Sequence, residues 1–433
     1  MILPGLLGFL AALGLIFIRV PIGISLAVVG FGGFYLLKGL TPALSMMAIA
    51  AKDSSMSYAL SVIPLFVLMG NLIAAAGISA DLFRAAQMLM GRLRGGLAMA
   101  TVLSCGGFAA VCGSSVATAY TMGKVSLPSM RRFGYADSLA TASVAAGGTL
   151  GIIIPPSVIM VIYGIATETH IGKLFAAGLI PGLLGILGYF AAIRWTVWRD
   201  PASAPLADPS TQEDRKDAYR RVWPVMLLFG VVLGGIYSGL FTATEAAGVG
   251  ATGGFLFALF RGRLGLTQFY KVFLSTLETS AVMFAIVLGA NIFGEFMNMT
   301  GLDSAVLQLV KGNDLQPITV IFIIIGIYIV LGALMEELSM ILLTLPVFFP
   351  LVIGLGYDPV WFGILIVVLC QVGLIAPPIG MNLFVIKAVA PDVSLGTTIK
   401  GISPFIAADV FRVALLALFP VVTLVLPNLL FRQ

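Results

Sequence analysis

The chain has 433 residues, of which 60% are hydrophobic and only 10% charged, with a mean hydropathy of +1.09. A soluble protein of this length needs far more polar surface, so composition leaves a membrane protein with room for about ten to twelve spans of ~20 residues. The net charge of +5 gathers in a few loops with no basic stripe, a topology signal and no footprint of nucleic-acid binding.

In chain order, the apolar run Ile2 to Ile18 lacks a basic leader and a small-residue cleavage site, so it reads as a retained N-terminal helix (1–18). Apolar helices are predicted over 22–38, 56–76, 96–112, 116–130, 137–153, 157–167 and 176–195. The polar stretch Arg199 to Arg221 is the one credible linker. Beyond it, helices are predicted over 224–242, 245–260, 280–299, 317–335, 338–353, 360–375, 379–389 and 404–427. Leu40 to Tyr58 and Leu264 to Glu278 mix apolar and polar residues and suit amphipathic helices lying in the two interfaces. Trp195, Trp198 and Trp223 around the linker fit an interfacial belt.

The two halves carry matching marks. GGTLGIIIPPS (Gly147 to Ser157) is answered by QVGLIAPPIGMN (Gln371 to Asn382), with the Pro-Pro pairs 377 − 155 = 222 residues apart. Gly134-Tyr135 and Gly356-Tyr357 keep that offset, and Gly178 with Pro181 answers Gly401 with Pro404. Leu127-Pro128 is matched here to Leu345-Pro346, which leaves the first half about four residues longer at that point. Such marks in one order imply duplication, with repeats over 19–198 and 222–433 around a linker over 199–221. Arg194, Arg199, Arg215, Lys216, Arg220 and Arg221 mark the linker as cytoplasmic. Arg19 precedes the second helix whereas Arg261 and Arg263 follow its counterpart, so the repeats are expected to be inverted. The fold class is therefore an all-α integral membrane protein built from an inverted-topology repeat.

Chemistry is expected where helices break. Runs 96–112 and 116–130 flank Gly113-Ser114-Ser115, and 317–335 and 338–353 flank Glu336-Glu337; each pair reads as a re-entrant hairpin supported by protein or a watery cavity. Each Pro-Pro pair ends one half-helix and starts another, leaving free carbonyls that favour a cation and free N–H groups that favour a carboxylate. Ser114, Ser115 and Thr118 supply hydroxyls, Glu337 and Ser339 occupy the second tip, and Asn382 adds an amide beside the second break. Taken singly, such serines pack or bond to backbone and such prolines merely kink; opposed in pairs, they suggest an ion and substrate site. Cys105, Cys112 and Cys370 have no paired spacing, and His170 is the only histidine, a solvated loop residue in this reading. No nucleophile–base pair, phosphate loop or metal-binding pair argues for an enzyme.

These marks together resemble the large membrane subunit of tripartite ATP-independent periplasmic (TRAP) transporters, the DctM type. The carrying segments are IPLFVLMGN (Ile63 to Asn71), CGSSVAT (Cys112 to Thr118), LPSMRRFGY (Leu127 to Tyr135), GGTLGIIIPPSVIMVIYG (Gly147 to Gly164), TATEAAG (Thr242 to Gly248) and APPIGMN (Ala376 to Asn382). The resemblance covers the chain from about Ile18 to Pro404. It implies an elevator-type fold of the ion transporter superfamily, with a fixed scaffold and a mobile domain carrying two hairpins and two discontinuous helices. It further implies uptake of a carboxylate coupled to two or more Na+ ions in the bacterial inner membrane. A periplasmic substrate-binding protein would deliver the carboxylate, and a small four-helix membrane subunit would be a separate chain. One sodium site is then expected at Ser114, Ser115, Gly151 and Pro155, and a second at Glu337, Ser339, Ala376 and Pro377. Substrate contacts are expected at Ser115, Thr118, Pro156, Ser157, Pro378 and Asn382. The alternative is a stand-alone sodium/dicarboxylate symporter of related fold.

Overall fold

A computed structural model describes residues 2–206 and 212–431; the middle of the Arg199–Arg221 linker lies outside them. Among the described residues there are helices and no strands. The first ten helices are α1 (Ile2–Phe17), α2 (Ile22–Lys38), α3 (Leu40–Met56), α4 (Val62–Ala75), α5 (Ile78–Met90), α6 (Gly96–Cys112), α7 (Ser115–Arg132), α8 (Asp137–Thr149), α9 (Val158–Ala166) and α10 (Ile171–Arg199). The second ten are α11 (Gln212–Tyr237), α12 (Ala243–Phe260), α13 (Leu266–Thr300), α14 (Leu302–Gly312), α15 (Pro317–Gly332), α16 (Glu337–Gly354), α17 (Pro359–Ile375), α18 (Met381–Val389), α19 (Leu395–Leu418) and α20 (Val421–Leu430). Among the described residues seven helices are long and apolar enough to cross a membrane. Six shorter apolar ones, α6 and α15 among them, fall short of the ~20 residues a full crossing takes.

Three expectations need correction. Leu264 to Glu278 is no separate interfacial helix, because most of it forms the start of the 35-residue α13. No Gly or Pro interrupts the chain between Leu266 and Val287, so nothing stops the helix there. Residues 404–427 form two helices, α19 ending at Leu418 and α20 starting after Pro420. The register at the second hairpin also changes: α7 and α16 each have 18 residues, with starts 337 − 115 = 222 and ends 354 − 132 = 222 apart. Pro128 therefore answers Pro350, not Pro346, and the apparent four-residue excess disappears.

Packing repeats the same correspondence. The two most extensive interfaces are α2 against α13 and α4 against α12, so each half lays a helix on the other. Helix α1 packs on α2 and α14, as α11 packs on α12 and α5. Asn71 of α4 donates to Thr276 Oγ1 of α13 at 3.0 Å. Trp361 of α17 is fully buried and donates to Leu416 O at 2.8 Å. Trp195, Trp198 and Trp223 are all exposed. His170 caps α10, accepting from Lys173 N at 3.2 Å, and Glu245 completes a capping box with Thr242 at the start of α12.

Candidate functional site

Two helical hairpins and two broken helices carry the candidate site residues. Gly113 ends α6 at φ +61°, a left-handed conformation that suits glycine. Ser114 follows in extended backbone and caps α7, its Oγ accepting from Ala117 N at 3.4 Å. Ser114 O in turn accepts from Thr118 N at 3.1 Å and from Thr118 Oγ1 at 2.7 Å. The tip lies directly on the first helix break. A Cβ on Gly151 would stand 2.7 Å from Ser114 O and 3.1 Å from Ser115 N. One on Gly113 would stand 3.5 Å from Pro156 O. Backbone oxygens from the tip and the break are thus brought together, donors of the kind that hard cations such as Na+ take.

Across the molecule the tip meets its own counterpart. Ser115 is fully buried and its Oγ donates to Glu337 Oε1 at 3.1 Å. These residues open α7 and α16 and stand 222 apart. Glu337 is 8% exposed, and its Oε2 has no hydrogen-bond partner among the described residues. The exposed peptide N–H groups at the start of α16 favour its charge. Ser339 is buried two positions on.

The two breaks differ. Both Pro155-Pro156 and Pro377-Pro378 are cis, but Pro155 and Pro156 are buried while Pro377 and Pro378 are exposed. At the first break Ser157 caps α9, donating to Ile152 O at 2.7 Å and accepting from Met160 N at 3.4 Å. Its hydroxyl is satisfied within the break, as that of Thr118 is within the tip. At the second, Ala376 O accepts from Gly380 N at 3.0 Å. Asn382, fully buried, donates from Nδ2 to Ala145 O at 3.1 Å. Its Oδ1 is left without a partner among the described residues.

Residue-by-residue reading missed the polar network behind the breaks. Gln371 Nε2 donates to Thr149 O at 2.7 Å, and these two are again 222 apart. Gln371 Oε1 accepts from Arg412 Nη2 at 2.7 Å, and the same Arg412 pairs with Asp409 at 2.7 Å. Tyr189 joins Asp409 Oδ2 at 2.8 Å to Thr149 Oγ1 at 2.9 Å. Asp409 and Arg412 are 1% and 3% exposed. The signal was present: an acid and a base three apart inside an apolar helix mark a buried pair.

Beside the second hairpin, a cavity of about 1000 Å³ separates α3 and α13 from α16 and the end of α9, with Asp53, Asn291, Glu295 and Glu168 on its walls. A helical bundle with short, interrupted helices, buried polar groups at the interruptions and seven long apolar helices defines a multi-pass membrane permease.

The comparisons narrow that class. The family model for the tripartite ATP-independent periplasmic transporter DctM component matches residues 9–422. The C4-dicarboxylate TRAP transporter large permease protein DctM of Pseudomonas aeruginosa is 36% identical over 384 residues, covering 88% of this chain and 89% of that one. The sialic acid TRAP transporter large permease protein SiaM of Vibrio cholerae is 32% identical over 422 residues, covering 96% and 97%. In structure the chain is similar to the Alcanivorax borkumensis YdaH transporter, with a TM-score of 0.63 at 16% identity over 96% of this chain and 98% of that one, a likeness of fold alone. The chain belongs to the DctM family of TRAP transporter large permeases. Its relatives are permeases, not enzymes.

Proposed function

We propose that this chain is the large permease subunit of a sodium-coupled secondary transporter in the bacterial inner membrane. It imports an organic acid handed over by a periplasmic binding protein, and a small membrane subunit completes the complex. The substrate class is taken from relatives named for C4-dicarboxylates and sialic acid.

The observation that carries this reading is the junction where Ser114 and Ser115 lie against Gly151 and Ser115 bonds to Glu337. Sodium is proposed at Ser114, Ser115, Gly151 and Pro155, and at Glu337, Ser339, Ala376 and Pro377. Substrate is proposed between them at Ser115, Thr118, Pro156, Ser157, Pro378 and Asn382. Unpartnered oxygens on Glu337 and Asn382 support a ligand that satisfies acceptors, as a cation does. Hydroxyls already engaged at Thr118 and Ser157 make these two supports of the site first and substrate contacts second.

The exchanged packing of α2 on α13 and α4 on α12 supports an inverted repeat, with these helices forming the scaffold of an elevator. Hairpins α6–α7 and α15–α16 would then travel with the broken helices. Energetically, each net positive charge moved inward gains about 2.3 kcal/mol per 100 mV, so excess sodium can drive accumulation of an anion.

The test is an omission series in proteoliposomes. Uptake is expected only when this chain, the small subunit and the binding protein are all present with sodium. Uptake by this chain alone would establish the stand-alone symporter instead.

A further inference from the structure

A groove of about 850 Å³ runs along the outside of α10 and α19, with Arg412, already paired with Asp409 behind the breaks, at its inner side. The two helices cross closely and antiparallel here: a Cβ on Gly188 would lie 3.4 Å from that of Ala408, and Gly185 faces Arg412. Small residues, Gly188, Ala191, Ala192, Ala407 and Ala408, form its floor, and Leu184, Leu187, Phe411 and Leu415 form its walls. Leu187 and Phe411 are 60% and 71% exposed, so the walls stand open to the bilayer. From Leu184 to Arg199 the groove follows 15 residues of helix, about 22 Å at 1.5 Å per residue. That exceeds the ~15 Å depth of one leaflet's hydrocarbon.

One end is charged. Arg199 lines the groove there beside Trp195. Lys400 lies on the same face of α19 as Pro404, Ala407 and Phe411, at helical spacings of four, three and four. Among the described residues neither the Arg199 nor the Lys400 side chain has a hydrogen bond or an ion pair. Trp195 and Trp198 are exposed at this same end, their rings tilted against each other with centroids 5.3 Å apart, and exposed indoles favour headgroup level. Two free cations and an indole belt over a narrow apolar channel make an amphipathic site. An acyl chain fits the channel, and a phosphodiester fits the cations.

We propose that the α10–α19 groove binds one anionic phospholipid, its phosphate held by Arg199 and Lys400 and an acyl chain lying along Gly188, Ala191 and Ala408. This inference does not depend on the proposed transport reaction. Purified protein in a mild detergent is titrated with phosphatidylglycerol, phosphatidylcholine or inorganic phosphate, read by thermal unfolding and by native mass spectrometry of retained lipid. Phosphatidylglycerol is expected to raise the unfolding temperature and stay bound, with phosphatidylcholine at least tenfold weaker and phosphate without effect. Arg199→Gln with Lys400→Gln should remove that preference while leaving lipid-free stability unchanged, since both side chains are exposed and unpaired. Ala191→Phe, which fills the groove from an exposed position, should abolish retention of both lipids. Equal affinity for the two lipids, a response to phosphate matching that to phosphatidylglycerol, or a preference surviving both variants would overturn the proposal. So would cross-linking from Ala191→Cys to a helix of the small subunit in place of lipid.

Discussion

Gly151 has no room for a side chain, because a Cβ would stand 2.7 Å from Ser114 O, a backbone atom fixed by the cap of α7. Gly151→Ala is therefore expected to cost about 1–3 kcal/mol, as overpacking does, and to weaken sodium activation by pushing tip and break apart. Thermal unfolding and the sodium dependence of uptake check both. Ser115→Ala removes the side-chain hydrogen bond that Glu337 accepts from the opposite hairpin. Hydrogen bonds to charged groups contribute about 1.5–3 kcal/mol, so sodium affinity should fall about tenfold or more while expression holds; unchanged sodium activation would count against the site. At this scale Gly151 entered only through the family resemblance, while the tip serines were legible as candidates from hydroxyls beside a turn glycine. Their meeting with Glu337 was not, since local pattern carries no information about which residues face each other across 222 positions.

Among elements, the broken helices invite the sharpest contrast. Replacing the buried Pro155-Pro156 by Ala-Ala should let α8 run on into α9 and abolish uptake, whereas wild-type transport would make the break a mere kink. The exposed Pro377-Pro378 should tolerate the same change with less loss of thermal stability, a difference that hydropathy alone could not show because both segments read alike. Behind the breaks, Arg412→Ala would leave Asp409 buried and uncompensated, a loss of about 3–5 kcal/mol that thermal unfolding in detergent should reveal. At the hairpin's outer end, Arg131 reaches Asp137 at 2.8 Å and Asp392 at 2.7 Å, tying α7 to α8 and to the α18–α19 loop. The hydrogen bond from Arg131 holds the Asp392 carboxyl below its usual range. A carboxyl so depressed stabilises the fold fully above its unfolded pKa and loses that contribution as pH falls through the folded one. Hydrogen exchange in the 390–394 loop should thus show this tie unchanged from about pH 8 to 5 and weakened only in stronger acid. Element boundaries were readable where caps or prolines stand, as at Ser114, Ser157 and Pro317. They failed at Leu264 to Glu278, where polar residues on a long helix imitate a separate interfacial segment.

For the whole molecule, the matching marks of the two halves were legible because prolines and glycines at breaks tolerate few substitutes. The mutual packing of α2 on α13 and α4 on α12 was not legible, since small apolar residues on many helices are interchangeable by pattern. That packing gives the proposed scaffold its continuity across both halves, and it sets the broken helices and hairpins apart as the part proposed to move. Energy coupling is the central claim. Its most direct measurement is uptake of the binding protein's ligand into proteoliposomes holding both membrane subunits, under an inward sodium gradient or an equal potassium gradient. The account predicts accumulation above the outside concentration with sodium, collapse on dissipating the sodium gradient, and equilibration at most with potassium. Accumulation that is indifferent to sodium would contradict it.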